Sequence, residues 1–170
     1  MVGQENGLAA ATFSEAIHTF LGDKLMSAAG LTEHQIQLIE ESFAAVAPHG
    51  AALVARFYQR LFNDYPEVKP MFDEANQHEQ QKKLLASLVL VVENLRKPEK
   101  LEPALEQLGV RHHEYGAQEA HYQAVGSTLL KTLAEFAGDL WGSELEEAWT
   151  AAYQAISGKM LQSAAAVATA

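Results

Sequence analysis

The chain has 170 residues, 48% of them hydrophobic, which is enough for one domain with a substantial core. Twelve Lys and Arg against 22 Asp and Glu give a net charge of −10, so a general nucleic-acid-binding role is not expected. The absence of cysteine removes disulfides, thiolate zinc sites and a Cys nucleophile together.

The first 30 residues contain Phe13, Ile17, Phe20, Leu21, Leu25 and Met26. Their spacing predicts an extra amphipathic helix ending near Gly30. Docking on the domain or loose attachment is the expectation, with dimerisation or membrane contact as alternatives. The segment lacks the basic-then-apolar pattern of a signal peptide, and no apolar run approaches ~20 residues, so a cytoplasmic protein without a membrane span is expected.

Thr32 and Gln35 predict a capping box at the start of the next helix, which places Ile36, Ile39 and Phe43 on one face. Pro48 and Gly50 end it. A second helix is predicted over roughly Ala51 to Asn63, with Val54, Tyr58, Leu61 and Phe62 in a stripe. Pro66 and Pro70 frame a turn-rich segment closing at Phe72, and the polar stretch Glu74 to Gln80 follows. Leu84, Leu85, Leu88, Val91, Val92 and Leu95 then repeat at helical spacing as far as Lys97-Pro98.

A shorter helix is predicted over roughly Leu101 to Tyr115, capped by Gly116. Two long helices follow, one lined by Tyr122, Val125, Leu129, Leu133 and Phe136. The other is lined by Leu145, Trp149, Ala152, Tyr153, Ile156 and Met160. No alternating strand pattern appears, so the predicted class is all-α. The predicted organisation is an N-terminal extension over 1–30, a domain over 31–162 and a flexible tail over 163–170.

Metal and catalytic motifs are scarce. There is no HExxH, no GxSxG, no P-loop and no strand-linked GxGxxG. His112 and His113 are adjacent, so a helix points them to different sides and they do not comfortably share one metal. The carboxylates scatter over polar faces and read as solvation. His112 sits on a short helix between two apolar ones, but periodicity alone leaves it as a ligand, a structural or a surface histidine. A helical fold with a hydrophobic slot is compatible with a large planar cofactor.

Several short segments carry more. They are Phe57-Tyr58-Gln59-Arg60-Leu61-Phe62, Pro66-Glu67-Val68-Lys69-Pro70-Met71-Phe72 and Val110-Arg111-His112-His113. His121-Tyr122-Gln123-Ala124-Val125-Gly126 and Ala148-Trp149-Thr150-Ala151-Ala152-Tyr153 complete the set. In this order and at this spacing, roughly Leu31 to Gln162 resembles the globin family. More narrowly, it is similar to bacterial single-domain haemoglobins and to the globin part of flavohaemoglobins.

The resemblance implies a globin fold around haem b (iron protoporphyrin IX). His112 matches the proximal iron ligand. His113 is the rival, and the Val-Arg-His frame with the spacing to Gly116 and His121-Tyr122 favours His112. Phe72 matches the aromatic residue against the haem ring, and Tyr58 matches the distal tyrosine. Gln80 and Leu84, four apart, match the pair above the iron. Tyr122, Val125 and Tyr153 fall in the pocket. Lys83 and Arg111 match reach to the haem propionates, with simple solvation as the alternative.

A Tyr hydroxyl and a Gln amide both donate hydrogen bonds to a polar gas ligand. Tight oxygen binding with slow release is therefore implied. With no histidine at Gln80, ferrous iron is expected to be mainly five-coordinate.

One departure stands out. Flavohaemoglobins and many single-domain relatives carry a late glutamate networked with the proximal His and a Tyr. Tyr122 matches that tyrosine, but the glutamate's place falls near Ala164. The sequence given also carries no flavin or NAD domain. The expectation is thus oxygen storage, delivery or scavenging, with NO and CO as further ligands. The alternatives are an NO dioxygenase using a separate reductase, and a gas sensor using residues 1–30. Monomer and homodimer both stay open.

Overall fold

The computed structural model describes residues 30–170. The extension predicted over residues 1–30 lies outside them but for Gly30. Among the described residues the chain forms α1 (Glu33–Val46), α2 (Gly50–Asp64), α3 (Gln77–Asn94), α4 (Pro98–Glu114), α5 (Glu119–Ala137) and α6 (Ser143–Ala168). Short 3-10 turns link several of them, over Ala47–His49, Pro66–Met71, Glu74–Asn76 and Gly138–Leu140.

The helix boundaries follow local chemistry. Thr32 Oγ1 accepts from the Gln35 amide at 3.2 Å, and Gln35 Oε1 accepts from the Thr32 amide at 3.0 Å. Both orphan donors of α1's first turn are thereby satisfied. α4 starts at Pro98, earlier than its apolar repeat, because proline's missing N–H is harmless in a first turn. Gly116 and Gly138 take left-handed φ values of 79° and 55°, which stop α4 and α5.

Two stretches outside the predicted helices are helical. The polar segment Glu74 to Gln80 contains a 3-10 turn, capped by Asp73, and the exposed first turn of α3. α6 runs on to Ala168, past the tail boundary predicted at residue 163, and Ala164 is buried. Alanine is the strongest helix former, so an Ala-rich end extends a helix that packing has already nucleated.

The core gathers Ile36, Ile39, Phe57, Leu61, Leu101, Leu133 and Trp149, all buried, from α1, α2, α4, α5 and α6. Trp149 Nε1 donates to Ser42 Oγ at 3.0 Å, which pins α6 to α1 inside that core. Arg56 and Arg60 of α2 both pair with Glu135 of α5. α4 and α6 approach closely at Gly109, where a Cβ would lie 2.3 Å from the Met160 carbonyl oxygen. No side chain fits there, so glycine sets the depth at which α4, with His112 three residues on, beds onto α6.

Candidate functional site

α2, the turn after it and α3 assemble one wall. Tyr58 on α2 is half-buried, and its ring meets Phe72 edge-on with centroids 5.6 Å apart. Phe62 joins them, 5.7 Å from Tyr58 and 5.4 Å from Phe72. Such tilted and edge-on pairings suit the ring quadrupoles. The Tyr58 hydroxyl donates to the Gln80 backbone carbonyl at 3.4 Å, a long bond that holds it weakly. Burial pushes the Tyr58 phenol up to about 12, so near neutrality it is a proton donor. Gln80 and Leu84 are half-buried on α3, one turn apart.

α4, α5 and α6 carry a second wall. His112 is half-buried, whereas His113 is exposed. The His112 Nδ1 lies 2.8 Å from the Leu108 carbonyl oxygen, one helical turn back. A carbonyl only accepts, so this contact requires the proton on Nδ1 and leaves the Nε2 lone pair available. The His112 ring lies 5.9 Å from that of Tyr122 and 6.3 Å from that of Tyr115.

Tyr122 is 7% exposed, and its hydroxyl has no hydrogen-bond partner among the described residues. Burial raises the phenol pKa of both Tyr122 and Tyr153. The Tyr153 hydroxyl donates to the Tyr122 carbonyl at 2.5 Å, joining α6 to α5. Its ring packs against Gly126, where a Cβ would come within 2.3 Å of Cε1. Val125, beside that glycine, is half-buried.

The site residues expected from sequence thus fall into two groups. Tyr58, Phe72, Gln80 and Leu84 gather around α2 and α3, and His112, Tyr122, Val125 and Tyr153 around α4, α5 and α6. Tyr58, Phe72, Leu84, Val125 and Tyr153 all pack against the core while keeping part of their surface outside it. Lys83 and Arg111 are exposed and make no side-chain contact that marks them out.

Three positions were not foreseen. The Leu108 carbonyl follows from the i−4 relation to His112 on a helix. Gly109 and Gly126 are interior helical glycines, which cost about 1 kcal/mol against alanine and so signal close approach.

No helix among the described residues is long and apolar enough to cross a membrane. Comparison with known proteins places the chain. A globin family model matches residues 55–160. A flavohaemoprotein of Vibrio cholerae is 35% identical over 125 residues, which cover 72% of this chain and 32% of the relative. The chain spans about a third of the length of the flavohaemoproteins it matches.

Among solved structures, a bacterial globin from Campylobacter jejuni superposes with a TM-score of 0.73 at 30% identity, covering 82% of this chain and 100% of that one. An engineered carbene transferase from Rhodothermus marinus, described as a candidate nitric oxide dioxygenase, gives 0.73 at 28% identity, with 82% and 96% coverage. Six helices in this arrangement among the described residues, and a family model spanning more than half of the sequence, make the chain a member of the globin family.

Proposed function

We propose that this globin binds haem b between the two walls, with His112 as the iron ligand, and that it takes up oxygen reversibly. The carrying observation is the state of His112: Nδ1 is engaged by the Leu108 carbonyl, which orients the ring and frees Nε2. Five apolar or aromatic side chains that pack on the core yet keep exposed surface suit a large planar group. Haem iron, when bound, supplies a coordination position for a diatomic gas.

The chain's own residues do the rest. Phe72 packs on the cofactor. Leu84, Val125 and Tyr153 exclude water. Tyr58, protonated near neutrality, and the Gln80 amide donate to the polar ligand. Lys83 and Arg111 are exposed cations, which would suit the haem propionates. Oxygen gains more from these donors than CO does, so the pocket favours oxygen.

A second reading, NO dioxygenase with a separate reductase, is favoured by the flavohaemoprotein relatives. Against it stand the resemblance, in which the late glutamate's expected place falls near Ala164, and the Tyr122 hydroxyl, which has no partner among the described residues.

Optical spectra of the haem-reconstituted ferrous chain, with and without oxygen, test the first reading. A five-coordinate spectrum converting reversibly to an oxygenated one is expected, and low-spin bands without ligand overturn it. Adding NO then separates the two. Consumption that stops after one equivalent supports the binder, and sustained consumption with cellular reductant supports the enzyme.

A further inference from the structure

Of the five tyrosines, Tyr115 alone stands at the surface. It is 68% exposed, whereas Tyr58, Tyr65, Tyr122 and Tyr153 are buried or half-buried. Neither tryptophan is exposed, and the chain has no cysteine. Tyr115 is therefore the only phenol, indole or thiol that the described residues offer freely to water.

The inner side of the same ring meets His112, in an edge-on pairing with centroids 6.3 Å apart. The backbone there closes in a Schellman motif. The Gly116 amide donates to the His113 carbonyl and the Ala117 amide to the His112 carbonyl, both at 2.9 Å. The left-handed φ of Gly116 permits both bonds. The turn that carries Tyr115 is thus tied to His112 itself. Oxygen binding makes no use of this ring.

A phenol gives up an electron readily only when its proton can leave as well. The other tyrosines of the site fail that condition. Tyr122 lies 5.9 Å from His112, but its hydroxyl is buried and has no partner among the described residues. Tyr58 and Tyr153 donate to backbone carbonyls, which are very weak bases. The Tyr115 ring stands in water, and water takes its proton.

We propose that Tyr115 is a surface oxidation site, through which this globin oxidises small reducing phenols at the expense of hydrogen peroxide. The proposal rests on the reading of His112 as the haem ligand, and haem, when bound, supplies the reaction with peroxide. One peroxide takes up two electrons and two protons and leaves as two waters. Tyr115 delivers the electrons one at a time past His112 and sheds one proton to water each time. After each delivery a phenol in solution returns an electron and a proton to the Tyr115 phenoxyl. The sum is one peroxide and two phenols giving two waters and two phenoxyl radicals. Without a phenol, the Tyr115 phenoxyls of two protein molecules join through a carbon–carbon bond. One peroxide and two tyrosines then give one dityrosine and two waters.

The test uses the full chain reconstituted with ferric haem, with guaiacol as the phenol. The unmodified protein and Tyr65→Phe should oxidise guaiacol at the same rate. Tyr115→Phe should lose most of that turnover, and Tyr115→Trp, whose indole is also oxidisable, should recover it in part. With peroxide alone, the unmodified protein should form covalent dimers with dityrosine fluorescence. Peptide mass spectrometry should place the bond at Tyr115, and Tyr115→Phe should stay monomeric.

The haem absorption band, recorded before peroxide is added, separates two kinds of failure. A normal band with guaiacol oxidation unchanged in Tyr115→Phe overturns the proposal and leaves haem binding standing. So does a dimer bonded through another tyrosine. A missing band in the unmodified chain overturns the haem reading and this proposal with it.

Discussion

The two walls of the site treat their polar groups differently. On the α2–α3 wall, the Tyr58 hydroxyl is held only by a 3.4 Å bond to the Gln80 carbonyl, a contact easily exchanged for a better acceptor. On the α4–α6 wall, the His112 Nδ1 is committed to Leu108 at 2.8 Å, and the Tyr153 hydroxyl is tightly bonded. The first wall holds its hydroxyl loosely, whereas the second commits His112 and Tyr153 to orientation and leaves the Tyr122 hydroxyl without a partner among the described residues. The α4–α6 wall is thus rigid at His112, and the α2–α3 wall adaptive at Tyr58.

The largest expected effect breaks the rigid wall. His112→Ala should abolish the haem-derived absorption band, or make it depend on added imidazole, whereas His113→Ala should leave it intact. The reverse pattern assigns the ligand to His113. Next comes the adaptive wall. Tyr58→Phe combined with Gln80→Leu should speed oxygen dissociation roughly tenfold to a hundredfold, since two such donors contribute about 1–3 kcal/mol. A stopped-flow rate unchanged in the double variant separates these residues from the ligand.

Gly126→Ala sharpens the contrast from the rigid side, because its Cβ collides with the Tyr153 ring. Overpacking of this kind costs about 1–3 kcal/mol, so the thermal midpoint should fall by several degrees. Oxygen release should change far less than in the Tyr58 variants.

A smaller effect is expected with pH. Burial raises the Tyr58 pKa to about 12, so its contribution to stability is fully present below pH ~10, the unfolded value. It is lost as the pH rises towards 12. Tyr58→Phe should flatten stability against pH in that window, as read by denaturant unfolding at fixed pH values.

Much of the fold is legible in the sequence because apolar residues repeat wherever a helix faces the core. The same signal is blind where a helix faces solvent. It places the third helix from Leu84 although α3 begins at Gln77, and the fourth from Leu101 although α4 begins at Pro98. It also predicts a loose tail where α6 continues through Ala164.

The candidate site is less legible from periodicity. A half-buried histidine on an amphipathic helix looks like any other boundary residue, and ordered family motifs were needed to single out His112. The carbonyl that orients it belongs to a leucine with no chemical mark. Gly109 and Gly126 matter for what they lack, and only the packing against Met160 and Tyr153 reveals that.

The Tyr122 hydroxyl carries one more consequence. A buried hydroxyl with no partner among the described residues costs about 1–3 kcal/mol against a group that never needed one. Tyr122→Phe should therefore make the protein harder to unfold, with a higher thermal midpoint and an unchanged helical spectrum. The gain would measure how much robustness the natural chain forgoes by keeping an oxygen atom beside His112.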